Sequence, residues 1–380
     1  MPKFKRNTVG EMGIDRRRIG YLSLHVPSEG SAAQIHVSEI SAGLAERGWS
    51  VRCLKPDYAP NNTQPSRFQR VWRQFAVQLK FLSQMRKFDI IYIRAHPAAF
   101  LVAAFARVAR KPIVHEVNGP LEDMLLAHRF LRPIAAILIF CQRRQLVWAS
   151  AVIAVTSGLA SAVRQQGVSS PVHVVSNGAN VELFAPGREP PFPGLPERYV
   201  SFVGNFATWQ GIDTLLAAAS VPSWPSDVSL VIAGSGDLGE EVSRASARDR
   251  RVVYLGPIPY RDAGRIVARS IAGLVPNFSL AGRGATGVVP LKLYETMSTA
   301  VPVVVTDFPG QADIVRAFDT GLVVPPSDPK ALADAVARLC DNPVEAKQMG
   351  VRGREYVLEH ASWSRQAART SDVLAQILDG

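Results

Sequence analysis

Apolar runs recur along the first half of the chain between segments of helical period: IGYLSLHV at 19–26, DIIYIRA at 89–95, PIVHEV at 112–117, AVIAVT at 151–156 and VHVVS at 172–176. Continuous apolarity marks strands covered on both faces, as in a parallel sheet. Their alternation with helices predicts a doubly wound α/β layer. The Pro- and Gly-rich stretch APGREPPFPGLPER at 185–198 then interrupts regular structure. Beyond it the alternation restarts with YVSFVG at 199–204, SLVIAG at 229–234, RVVYLG at 251–256, IAGLVP at 271–276 and PVVVT at 302–306. A chain of 380 residues exceeds what one core usually supports. Two Rossmann-like domains facing across a cleft are therefore expected, residues 1–185 and 186–362.

The second half carries the candidate chemistry. Pro290 suits the start of a helix running to about Thr299, because its fixed φ and missing N–H cost nothing there. The loop before it, AGRGATG at 281–287, exposes backbone N–H groups beside the positive helix end, a site for a diphosphate. Gly287, Val289, Pro290 and Leu291 form that approach, and Lys292 and Arg283 add positive charge. Glu295, one turn on, offers a carboxylate to ribose hydroxyls. A plainer reading makes Lys292 and Glu295 solvated helix residues. Residues 234–239 read GSGDLG after a strand, which also admits a nicotinamide-dependent oxidoreductase, with Gly234 at the pyrophosphate. That strand is the second of its domain, however, and the acidic residue due about 20 positions later has no clear counterpart.

At this point the chain resembles the retaining glycosyltransferases of family 4, which have the GT-B fold. The motifs run nearly the whole length: a Gly-containing loop and helix from Gly30 to Gly48, HEVNGPLED (115–123), VVSNGANVELFAP (174–186), FVGNFATWQGIDTLLAA (202–218), AGSGDLGEEV (233–242), PLKLYETMSTAVPVVVTD (290–307) and Trp363. The resemblance implies that a final helix at about 363–380 packs back on the first domain. It makes Glu295 the second glutamate of the family's paired motif, holding the donor ribose. The first glutamate falls at Gly287, and the arginine and lysine that usually grip the diphosphate fall at Asn205 and Gln210, next to Gly204. The resemblance further implies that Gly30 lies near the donor phosphates, and that Glu116 and Asn118, with His96 and His115, line the acceptor side.

The expected reaction is transfer of a sugar from a nucleoside diphosphate sugar to a glycan or lipid-linked acceptor in cell-surface polysaccharide or glycoconjugate synthesis. Catalysis is assigned to Glu295, Lys292 and Arg283, with no cofactor beyond the donor and no metal, since no D-x-D triplet occurs. The missing Glu, Arg and Lys also motivate a non-catalytic nucleotide-sugar-binding subunit.

Charge and composition add location. The formal charge of +11 asks for an anionic partner. In RFQRVWRQFAVQLKFL at 67–82, Phe68, Val71, Trp72, Phe75, Leu79 and Leu82 share one helical face, with Arg67, Arg70, Arg73 and Lys80 opposite and Arg86 and Lys87 following. Two readings stand: a helix packed on the sheet, or one lying on an anionic membrane surface through residues 67–87. Nucleic acid is not expected, as no binding motif accompanies the charge. The stretch PIAAILIFC at 133–141 is too short to span about 30 Å of hydrocarbon. Three scattered cysteines and the absence of a signal-like apolar run before Ile19 point to the cytoplasm, and the membrane reading of residues 67–87 would place the protein peripherally on the inner face of the plasma membrane.

Overall fold

The computed structural model describes residues 17–25, 30–57, 66–121, 124–125, 129–187, 190–277, 286–287 and 289–380. The first half runs β1 (Arg18–Leu22), α1 (Ala32–Glu46), β2 (Ser50–Leu54), α2 (Arg67–Gln84), β3 (Ile90–Arg94), α3 (Phe100–Val108), β4 (Ile113–Val117), α4 (Ala135–Trp148), β5 (Ala151–Ala154), α5 (Ser157–Gln165) and β6 (Val172–Val174). The second runs β7 (Tyr199–Asn205), α6 (Ile212–Ala218), β8 (Ser229–Ser235), α7 (Gly239–Arg248), β9 (Val252–Tyr254), α8 (Tyr260–Val267), β10 (Gly273–Val275), α9 (Leu291–Ser298), β11 (Val303–Thr306), α10 (Gln311–Phe318) and β12 (Gly321–Val324). Helices α11 (Pro329–Asp341), α12 (Pro343–Tyr356) and α13 (Trp363–Asp379) follow.

Both sheets are parallel, in the orders β2-β1-β3-β4-β5-β6 and β12-β11-β10-β7-β8-β9. The order reverses between β1 and β3 in the first and between β7 and β10 in the second. In open α/β sheets ligands bind beyond the strand ends at such switch points. The architecture is the GT-B type of two α/β layers. The apolar runs became central strands because Ile90–Arg94 and Ile113–Val117 are buried at every position. Of the four edge strands, β6 and β9 carry that signal while β2 and β12 escape it, and β2 faces solvent at Ser50, Arg52 and Cys53.

The final helix α13 lies against α1. Gly43 permits the approach, as a Cβ there would come within 2.4 Å of the Ala367 Cβ. Trp49 Nε1 donates to Ser371 Oγ at 2.8 Å, and Trp363 is buried in the same cluster as Ile35 and Ile40.

Helix α2 begins at a reciprocal capping box, Ser66 with Gln69. It meets the sheet through Val77, Phe81 and Met85, which are buried. Its broad apolar stripe points the other way: Phe68 is 78% exposed, Trp72 58% and Leu79 49%. Of the two readings of this helix, packing of that stripe on the sheet is not what the fold does.

Candidate active site

The donor side is built where β7 ends and α9 begins. Pro290 is the N-cap of α9 with extended backbone, φ −73° and ψ 151°, so the first N–H groups of the helix have no partner within it. Before it, Gly287 has φ +73°, and a Cβ there would lie 3.2 Å from the Pro309 carbonyl. The absent first glutamate thus has a backbone cause: the position is a left-handed turn, which costs a residue with a side chain about 1–2 kcal/mol. Gly287→Glu is expected to lower both melting temperature and donor turnover rather than restore a sugar contact, which a thermal melt and a turnover assay check together. Arg283 lies outside the described residues.

Lys292 does not extend into solvent. Its Nζ passes beside the bare backbone of Gly204, sits 3.6 Å above the Phe202 ring and donates to Gln210 Oε1 at 2.8 Å. Its ammonium therefore lies against the side chain of Gln210, the residue at which the family resemblance expects a lysine. Protein packed around this half-buried group lowers its pKa to about 7, against the pull of Glu295. Burial raises the Glu295 carboxyl to about 7, opposed by the bond from Tyr260 Oη, which donates to Oε1 at 2.8 Å, and by Lys292. The solvated-helix reading of these two residues fails: both line one partly enclosed pocket with Ser201, Val203, Ala263 and Thr296 around them. Asn205 is exposed at the end of β7, with no cation in its side chain to offer.

The first two glycines of GSGDLG are consumed by packing, while Gly239 faces open space. A Cβ on Gly234 would come 1.8 Å from the Gly204 carbonyl, and one on Gly236 2.7 Å from the Phe206 nitrogen. The motif follows β8, one strand away from the switch point, and its close approach is to protein backbone. The oxidoreductase reading loses its observation, and Gly234 serves to shape the end of β7.

Across the cleft, Glu116 at the end of β4 is only 1% exposed. Tyr21 and Tyr92 hydroxyls donate to its Oε2 at 3.2 and 2.7 Å, Arg94 Nη1 donates to Oε1 at 2.8 Å, Asn118 Nδ2 donates to the same oxygen, and His36 Nε2 lies 3.0 Å from it. Burial pushes the carboxyl pKa up, but His36, Arg94 and Tyr92 outweigh it and hold Glu116 well below the usual carboxylate range. Glu116 is thus buried with both carboxylate oxygens bonded within the protein, and it anchors the groups around it. Asn118 is half-buried beside it. His96 caps a short turn by accepting from the Ala98 N–H at 3.2 Å and stacks edge-on with His25, centroids 5.6 Å apart. His115 alternates away from Glu116 along the strand and is buried, its pKa lowered to about 3 by burial, so it is a packed residue outside the cluster. Gly30, with φ +73°, closes the loop before α1.

Sequence reasoning missed Tyr21, His36, Tyr92, Arg94 and Tyr260. A usable signal existed for three of them: Tyr21 and Tyr92 carry hydroxyls within otherwise apolar strand runs, and Arg94 ends one. Among the described residues no three metal-ligating side chains are grouped to hold an ion.

Residues 33–183 match the family model Glycosyltransferase Family 4, and residues 197–342 match Glycosyl transferases group 1. A phosphatidyl-myo-inositol mannosyltransferase of Mycobacterium leprae (strain TN) is 27% identical, covering 93% of this chain and 95% of its own length. An alpha-maltose-1-phosphate synthase of Mycolicibacterium smegmatis is 32% identical over 60% of this chain and 64% of its own. Among solved structures, sucrose-phosphate synthase from Thermosynechococcus elongatus shares the fold with a TM-score of 0.78 at 21% identity, covering 96% of this chain and 100% of that one. Anabaena HepE, solved with UDP-glucose, does so with a TM-score of 0.69 at 17% identity, covering 94% and 99%. With the two matched segments lying one on each sheet, and the paired layers of the same fold, the chain belongs to the group 1, family 4 glycosyltransferases.

Proposed function

We propose that the protein transfers a sugar from a nucleoside diphosphate sugar to a hydroxyl of a glycan or lipid-linked acceptor, with retention at the anomeric carbon and without a metal. The carrying observation is Lys292 Nζ at 2.8 Å from Gln210 Oε1. It returns a cation to the place that residue 210 leaves neutral, beside the N-terminus of α9. There it faces the charge that develops on the departing diphosphate. Glu295 takes the ribose hydroxyls. The acceptor oxygen attacks on the face the diphosphate leaves, and a phosphate oxygen takes its proton, so the site needs no strong base. The structures of HepE with UDP and with UDP-glucose favour this donor class, and the mannosyltransferase relative favours a lipid-linked acceptor. The non-catalytic reading is the less economical, because the lost charge is replaced rather than abandoned.

The acceptor would be met at the inner face of the plasma membrane. Residues 67–87, 100–111 and 129–148 hold thirteen Lys and Arg and no Asp or Glu, more than the net charge of the whole chain. Helix α3 packs against both α2 and α4. Phe105, Ile137 and Phe140 add exposed apolar surface to that of α2, and no described helix is long and apolar enough to cross a membrane. Such a face suits a surface of anionic lipid, each basic residue contributing about 1 kcal/mol. Trp72→Glu with Phe75→Glu is expected to abolish sedimentation with phosphatidylglycerol vesicles while leaving the melting temperature unchanged.

Calorimetry with UDP, GDP, ADP and their sugars, followed by NMR of the product anomer, tests the donor reading. Binding of NAD and of none of these diphosphates would sink it.

A further inference from the structure

The segment leading into α9 is held from the opposite half of the molecule at two carbonyls. Thr156 Oγ1 donates to the Thr286 carbonyl at 2.6 Å, and Asn177 Nδ2 donates to the Val289 carbonyl at 3.0 Å. Thr156 is also the N-cap of α5, accepting from the Leu159 N–H at 3.1 Å, so its hydroxyl both donates and accepts. Gly158 lets the two backbones meet: a Cβ there would fall 2.6 Å from the Thr286 oxygen.

The second clamp continues inward. A carbonyl only accepts, so Asn177 turns its nitrogen to Val289 and its oxygen to His36 Nδ1, 3.1 Å away, which donates. His36 Nε2 in turn lies 3.0 Å from Glu116 Oε1, and the Trp363 ring meets His36 edge-on with centroids 5.1 Å apart. A chain of polar contacts thus runs from the buried Glu116 carboxylate to the backbone flanking Gly287.

We propose that Asn177 and His36 are positioning residues for donor binding: they hold the backbone at Val289 against the N-terminal half, so the diphosphate meets a helix approach already in place. The physical gain is ordering entropy removed before the ligand arrives. This rests on the donor reading above. Its mark is a change in donor affinity with little change in the chemical step.

Asn177→Asp replaces one amino group by oxygen, removing the bond to Val289 and keeping an acceptor for His36. Whichever of UDP, GDP and ADP binds the wild type is expected to bind this variant about tenfold more weakly, the worth of one hydrogen bond. KM for the matching sugar nucleotide should rise with it while kcat stays within about threefold, the pattern of lost uniform binding. Amide exchange at 286–287 and 289 should quicken without nucleotide. His36→Phe should act in the same direction, and the double variant should be no weaker than Asn177→Asp alone. Unchanged affinity, or a fall in kcat that follows a fall in melting temperature, would overturn the positioning role. A wild type that binds none of the three diphosphates would overturn the donor reading instead.

Discussion

Replacing Lys292 with methionine should lower donor turnover by about 10²- to 10³-fold, the usual consequence of removing one group that stabilises charge developing in a transition state. The side chain reaches Gln210 past Gly204, and methionine keeps an unbranched apolar stem while deleting the ammonium that lies over Phe202. The loss is therefore of charge rather than of packing. Moving the charge back to the position it replaces, with Gln210→Lys in the Lys292→Met background, should recover a substantial part of the activity. A merely structural lysine predicts no such recovery. The pH profile carries the same signature. Free Lys292 has a pKa of about 7, and a bound diphosphate favours its protonated form, so donor affinity falls as pH rises above that value. Glu295, also at about 7, must be ionised to accept from ribose hydroxyls, so affinity falls on the acid side too. Lys292→Met should erase the alkaline limb and Glu295→Gln the acid limb.

Glu116→Ala should destabilise the protein by about 3–5 kcal/mol, because it leaves the buried Arg94 guanidinium without its counter-charge. His36 and the hydroxyls of Tyr21 and Tyr92 lose an acceptor at the same time. The sign with pH follows from the lowered carboxyl pKa. The unfolded chain protonates Glu116 near its ordinary value of about 4.3, whereas the folded protein keeps it ionised well below that. Its contribution is fully present above about pH 4.3 and shrinks as pH falls toward the folded value. Urea midpoints of wild type and Glu116→Ala should differ most at neutral pH and converge in acid.

What the sequence made legible divides along physical lines. Central strands such as Ile90–Arg94 are buried on both faces, so their apolar runs announce them. The edge strand Ser50–Leu54 is half solvated and does not. Pro290 marked the start of α9 to within a residue because proline restricts its own φ. Residues joined across the chain were harder to see. The partnership of Lys292 with Gln210 spans 82 positions and that of Asn177 with Val289 spans 112, and no local periodicity encodes either. Glu116 was recognised as a residue of note, but its partners were not legible, since the five groups around its carboxylate come from β1, α1, β3 and the turn after β4. For Gly287 the reverse holds: a departure from the family pattern became intelligible once its positive φ was known.

The most direct test of the donor site is calorimetric titration of the binding nucleoside diphosphate at pH 8 in two buffers of different ionisation enthalpy. With Lys292 as the phosphate cation, the wild type takes up protons on binding and Lys292→Met does not. Equal proton uptake by the two proteins, with equal affinity, would contradict the assignment.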